Sequence, residues 1–126
     1  MLTTEQEDYE AGEVIFKEGS HGAAVYVISS GKVEVSKIVQ GKKRVLEIFG
    51  PGDVFGEMSF IDPAPRSATA IALEDTTLEL VDKDYLDMEF NRISSDLREI
   101  LCALVRRMRK TTQNLGYSSG PSEEGK

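Results

Sequence analysis

Between Gly12 and Asp82 the chain alternates short apolar runs with glycine- and proline-bearing turns, a spacing too close for helices. Val14–Phe16 closes at Glu18-Gly19-Ser20, and Ala24–Ile28 closes at Ser29-Ser30-Gly31. Lys32–Val39 alternates polar and apolar residues, as a half-buried strand does. Gln40-Gly41-Lys42 is a hairpin turn into Arg44–Phe49, and Gly50-Pro51-Gly52-Asp53 turns the chain into Val54-Phe55. Two more strands follow, about 67–73 and 77–81. About eight short strands at even spacing predict an antiparallel β jelly roll, a double-stranded β-helix barrel. From Asp82 the period becomes helical, so the fold class is mainly β, with a short helix and a longer C-terminal helix. The expected organisation is a short polar N-terminal segment (1–10), a β roll (12–82), helices (83–116) and a disordered tail rich in Gly, Ser, Pro and Glu (117–126). Thr3–Glu10 is too short and acidic to predict an element of its own.

The stretch Phe55–Thr69 concentrates the chemistry. Gly56 can adopt backbone angles closed to other residues and admits close approach to the main chain. Glu57–Ile61 is predicted to form one helical turn whose first amides lack partners, a setting for anions. Pro63 and Pro65 stop that turn and hold the chain extended before Arg66, which enters a small-residue stretch of Ser67, Ala68 and Ala70. A guanidinium facing free amides suits a phosphate, and a carboxylate such as Glu57 suits sugar hydroxyls. Phosphate and sugar together point to a nucleotide. A surface ion pair between Glu57 and Arg66 is the alternative.

Gly56-Glu57-Met58-Ser59 followed by Pro65-Arg66-Ser67-Ala68-Thr69 resembles the phosphate-binding cassette of cyclic nucleotide-binding domains, the family of catabolite-activator-like bacterial regulators, cyclic-nucleotide-dependent kinases and gated channels. The resemblance covers about 11–116 of the chain. It implies a regulatory module in which Arg66 and the amides of Met58, Ser59 and Ala68 hold the cyclic phosphate, while Glu57 and the Gly56 backbone hold the ribose. Ser67 supplies a hydroxyl that cyclic-AMP and cyclic-GMP binders of the family share. With Thr111 and Thr112, placed where related helices meet the purine edge, the implied ligand is cyclic AMP, with cyclic GMP as the alternative. It also implies that Gly19, Gly31 and Gly52 hold corners of the roll.

In the long helix Leu97, Leu101, Leu104, Met108, Thr111 and Leu115 follow steps of four and three, with Ser95 or Asp96 as cap and Glu99 completing a capping box. Such a seam pairs two helices or folds over its own domain, and Thr111 in it is either a hydrogen-bonding group or a tolerated polar residue. The family resemblance implies a homodimer through this helix. Arg106, Arg107, Arg109 and Lys110 form a basic run expected to be a solvated face near the helix end.

The remaining composition excludes rivals. With 126 residues and a net charge of -7, the chain is one domain without the basic footprint of non-specific nucleic-acid binders, so direct DNA binding is not expected. No apolar run nears the ~18 residues of a membrane span, and the N-terminus does not resemble a signal peptide, so a cytoplasmic location is expected. The lone Cys102 cannot form an internal disulfide and sits in a helical apolar stretch, where packing is its expected role. One histidine, His21, cannot furnish the several imidazoles of a cupin metal site, and no nucleophile–base set is present, so neither a metal nor catalysis is expected. The chain reads as a receptor module acting on an unknown effector, free-standing or part of a longer chain. A dimerisation or interaction module that senses no ligand is the alternative, opposed by intact Gly56, Glu57 and Arg66.

Overall fold

The structure, a computed structural model, describes residues 2–114. Two four-stranded antiparallel sheets face each other. One has the order β1 (Thr3–Tyr9), β8 (Thr76–Val81), β3 (Tyr26–Ser30), β6 (Val54–Phe55); the other runs β2 (Val14–Phe16), β7 (Thr69–Ala72), β4 (Val33–Val39), β5 (Lys42–Phe49). This is the expected jelly roll. The core lies between the sheets, where Tyr26, Ile28, Val33, Phe55, Ala70 and Leu78 meet. β4 is an inner strand of its sheet, between β7 and β5, and its Val33, Glu34, Ser36 and Val39 are buried while Ile38 is exposed. Gln40 and Gly41, both at positive φ, make the tight turn into β5 that the strand twist favours.

One expectation is corrected. Thr3–Tyr9 is a strand, paired with β8 from Thr3↔Val81 to Tyr9↔Thr76. An edge strand can be polar and charged because one of its sides has no neighbour and charge discourages stray pairing. Side chains add to this pairing: the Glu79 carboxylate accepts from Thr3 Oγ1 at 3.0 Å and from Ser29 Oγ at 2.8 Å, spanning three strands.

A one-turn helix, α1 (Glu57–Ile61), leaves β6 and leads by a proline-bearing loop to β7. After β8 come α2 (Lys83–Arg92), capped by Asp82, and α3 (Ser95–Gln113). The cap of α3 is Ser94, whose hydroxyl accepts from the Leu97 amide at 3.1 Å; it replaces the expected Ser95 or Asp96. The seam divides between two faces. Val105 and Arg109 are buried against the roll and Leu101 and Cys102 are partly so, whereas Leu97, Ile100, Leu104 and Met108 stay exposed. Leu115 and the expected tail lie outside the described residues. No described helix is long and apolar enough to cross a membrane.

Candidate functional site

The cassette begins at Gly56, the N-cap of α1, with φ 85°. A side chain there is excluded twice: the backbone is left-handed, and a Cβ would stand 2.8 Å from the Ala24 carbonyl oxygen and 3.2 Å from Arg66 Nη1. The loop after α1 is closed by the Asp62 amide on Met58 O at 2.9 Å and by Ser59 Oγ on Ala64 O at 3.3 Å. It delivers Arg66, whose backbone is pinned to the turn after β2: its amide donates to Ser20 O, and its carbonyl accepts from the Gly19 amide, each at 2.8 Å. That turn is therefore part of the site's framework, beyond the corner role expected for Gly19.

Arg66 is only 6% exposed. Nη1 donates to Gly56 O at 2.9 Å and Nη2 to Ala24 O at 3.0 Å, while the guanidinium carbon lies 4.1 Å from the centre of the Phe16 ring. Two carbonyls and a ring face fix the fork in place. A guanidinium offers five N–H donors, so the two carbonyls leave others for a ligand. Burial lowers the Arg66 pKa from its ordinary value, opposed by Tyr26 and Glu57 and assisted by Arg109; the group stays cationic. Glu57, half-buried, is shifted the other way. Burial raises its carboxyl pKa and Glu47 adds to this, against its own backbone amide and Arg66.

These residues border a cavity of about 340 Å³, within the range of small-molecule pockets, roughly 300–1,000 Å³. Gly56, Glu57, Met58, Ser59, Arg66, Ser67 and Ala68 all line it. Phe16, Phe49 and Phe55 form an aromatic wall, with Phe49 and Phe55 stacked at 5.9 Å, and Val35, Leu46 and Met108 add apolar surface. One end is thus polar and cationic and the other apolar, a match for a small anion carrying a flat ring. A second depression, lined by Asp8, Glu10, Glu13 and Asp75, would repel an anion.

The helix residues are placed differently from one another. Thr112 lines the cavity, its hydroxyl donating to Met108 O at 3.1 Å. Thr111 is exposed, does not line that cavity, and donates to Arg107 O at 3.1 Å. The basic run is also corrected: Arg109 is 6% exposed, not solvated, and Nη1 donates to Asp62 Oδ2 at 2.6 Å. Arg106 Nε stands 3.6 Å from Asp62 Oδ1, and the Cys102 thiol lies 3.5 Å from Ile61 O. Phe60 of α1 meets Phe90 of α2 edge to face at 5.7 Å. The cassette helix is therefore packed against both C-terminal helices. Phe16, Phe49, Leu46, Glu47 and the Asp62–Arg109 pair were not singled out by sequence; Val14–Phe16 reads only as an apolar run, with nothing to set Phe16 beside Arg66.

The model of the cyclic nucleotide-binding domain family matches residues 6–92. The chain is 39% identical over 113 residues to the cyclic AMP receptor protein of Thermus thermophilus, an alignment covering 88% of this chain and 52% of that protein. It is 35% identical over 109 residues to a CRP-like cAMP-activated global transcriptional regulator of Mycobacterium tuberculosis, covering 86% and 49%. Among solved structures, the cAMP-bound form of the EAL enzyme Bd1971 superposes with a TM-score of 0.81 at 31% identity, covering 90% of this chain and 30% of that one. The cGMP-bound form of the same enzyme gives 0.78, also at 31% identity, covering 83% and 28%. The chain thus spans about half the length of the curated relatives it matches.

Proposed function

The chain belongs to the cyclic nucleotide-binding domain family, and we propose that it is a cyclic AMP receptor module that passes pocket occupancy to its C-terminal helices. The observation that carries this reading is Arg66: a buried cation held by two carbonyls and a ring at the polar end of a nucleotide-sized cavity. Its remaining donors, with the amides of Met58, Ser59 and Ala68, take the cyclic phosphate. Glu57 accepts from the ribose 2′-hydroxyl beside the Gly56 backbone, and Ser67 adds a hydroxyl near the phosphate end. The base lies toward Val35, Leu46 and Met108, with Thr112 at its edge. We place cyclic AMP ahead of cyclic GMP on the hydroxyls of Thr111 and Thr112 and on the likeness to a cyclic AMP receptor.

A second copy completes the arrangement. Leu97, Ile100, Leu104 and Met108 are 44–56% exposed along one stripe of α3, and their burial between two helices would stabilise a homodimer at about 25 cal/mol per Å² of apolar area. Thr111, at the end of that stripe, then becomes available to the partner's nucleotide rather than to its own. Transmission runs from α1 through Phe60–Phe90 and Asp62–Arg109. It requires only that the ligand bind one arrangement of these contacts better than the other. The module is regulatory rather than catalytic, works in the cytoplasm without a metal, and acts on an effector protein or domain.

Calorimetric titration with cyclic AMP and cyclic GMP tests the reading. Saturable binding of one nucleotide per chain, tighter for cyclic AMP, is expected. Tighter cyclic GMP binding reverses the choice of base, and no binding of either leaves a dimerisation module without a sensor.

A further inference from the structure

Residues 32–44 differ from the rest of the chain in charge. They carry Lys32, Lys37, Lys42, Lys43 and Arg44 against the single acid Glu34, in a protein whose net charge is -7. Lys37 pairs with Glu18 and Lys43 with Glu34. Lys42 and Arg44, both exposed, make no ion pair among the described residues. This basic hairpin also carries apolar surface. The register sets Ile48 opposite Glu34, Val45 opposite Ser36 and Lys43 opposite Ile38, so these residues share the outer face of the sheet. Ile38 is 60% exposed, Val45 50% and Ile48 54%. Beyond them β5 is the last strand of its sheet, with no neighbouring strand on one side of its backbone among the described residues.

Lysines on an edge strand discourage stray pairing, which accounts for the charges alone. It does not account for three β-branched side chains displayed on the outer face, opposite the one that Lys42 and Arg44 share with Lys37 and Val39, an arrangement that suits a strand alternating apolar and acidic side chains. We propose that the outer face of β4 and β5, with the free edge of β5, docks an acidic partner segment that carries alternate apolar side chains and adds to the sheet as a further strand. The charge favours a short peptide over an anionic membrane. Screening over about 8 Å lets a segment sense the hairpin's local positive charge, whereas an extended surface also meets the chain's acidic remainder. The inner faces of the same two strands contribute Val35, Leu46 and Phe49 to the nucleotide cavity, so the docked segment would rest on a wall of that cavity. The proposal stands on the hairpin's own geometry, whether or not the cavity takes cyclic AMP.

The test is fluorescence anisotropy of a labelled peptide of about ten residues alternating glutamate with isoleucine, titrated with the full chain. Saturable binding that weakens at least about tenfold on raising salt from about 50 to about 500 mM is expected. The double variant Lys42→Glu/Arg44→Glu and, separately, Val45→Asp should each lose at least about tenfold in affinity, because charge and apolar contact both contribute. All three positions are outside the nucleotide cavity, so circular dichroism and nucleotide titration of the variants serve as folding controls. Equal binding of a peptide with lysine in place of glutamate would overturn the proposal, as would variants that bind like the unmodified chain. So would stronger binding to vesicles of phosphatidylcholine and phosphatidylserine than to the peptide, or sedimentation in which Val45→Asp turns a dimer of the chain into a monomer, which would put a second copy on β5.

Discussion

Asp62 and Arg109 join the end of the cassette helix to the buried face of the last helix, with Asp62 Oδ2 accepting from Arg109 Nη1 at 2.6 Å. The two residues are far apart in sequence, and Arg106 beside Asp62 and the Cys102 thiol beside Ile61 O add to the link. Arg109 has two further nitrogens, Nε and Nη2, buried without a partner among the described residues. A buried cation held by one carboxylate has much to lose when that carboxylate is withdrawn. This is the contact through which the proposed coupling of the cassette to α3 would run.

Asp62→Asn tests this link. The Asp62 side chain is 20% exposed and Arg106 is also near, so the expected loss of stability is moderate, about 1–3 kcal/mol. The local effect should be clearer. The half-buried Cys102 thiol faces Ile61 O beneath α3, and its reaction with a disulfide reagent should speed up several-fold as the helix loosens. Unchanged thiol reactivity would show that Asp62 does not hold the helix.

Leu104→Glu tests the dimer. Leu104 is 47% exposed in the chain itself, so the variant should fold; in a dimer it would place a charge in the middle of an apolar seam. Sedimentation should find a dimer for the unmodified protein and a monomer for the variant. An unmodified protein that is monomeric at high concentration, with or without nucleotide, rules out the seam as an interface.

Glu57 supplies a pH dependence. Burial raises its pKa in the folded protein, so its contribution to fold stability is present below the unfolded carboxylate pKa and is lost as pH rises through the raised value. Nucleotide binding runs the other way, because the ionised carboxylate is the better acceptor for the ribose hydroxyl. Affinity should fall on acidification, beginning at a higher pH than an ordinary glutamate would give. Glu57→Gln should cost on the order of 1–2 kcal/mol of binding and flatten the profile. A 2′-deoxy cyclic nucleotide should make both effects smaller. A profile that is the same for Glu57→Gln and the unmodified protein excludes Glu57 from the ribose site.

Much of the site could be read from sequence because its demands are local. Gly56, Pro63, Pro65 and Arg66 impose backbone and charge constraints within eleven residues, and the structure sets Gly56 and Arg66 on one cavity. What stayed hidden depends on distant partners. Nothing near Phe16 announces that an arginine fifty residues later will rest on its ring; the pairing of β2 with β7 brings them together. The polar strand Thr3–Tyr9 shows no alternation strong enough to detect, since its hydrogen bonds to β8 provide what its side chains do not. On α3 the basic run looked uniform, yet Asp62 draws Arg109 inward while Arg107 and Lys110 remain exposed. Thr111 and Thr112 are adjacent, and one step around the helix puts only the second at the cavity.

The most direct test is calorimetric titration of Arg66→Ala with cyclic AMP beside the unmodified protein. The substitution removes the fork from the phosphate and also frees Gly56 O, Ala24 O and the Phe16 ring, so some fold stability should be lost, about 1–3 kcal/mol, with the roll still formed. Truncating one member of a buried charge pair costs about 2–5 kcal/mol, a weakening between about thirtyfold and several thousandfold. That loss, in a variant whose circular dichroism still shows the β roll, is the expected result. A folded Arg66→Ala that binds cyclic AMP as tightly as the unmodified protein would contradict the assignment of the cassette.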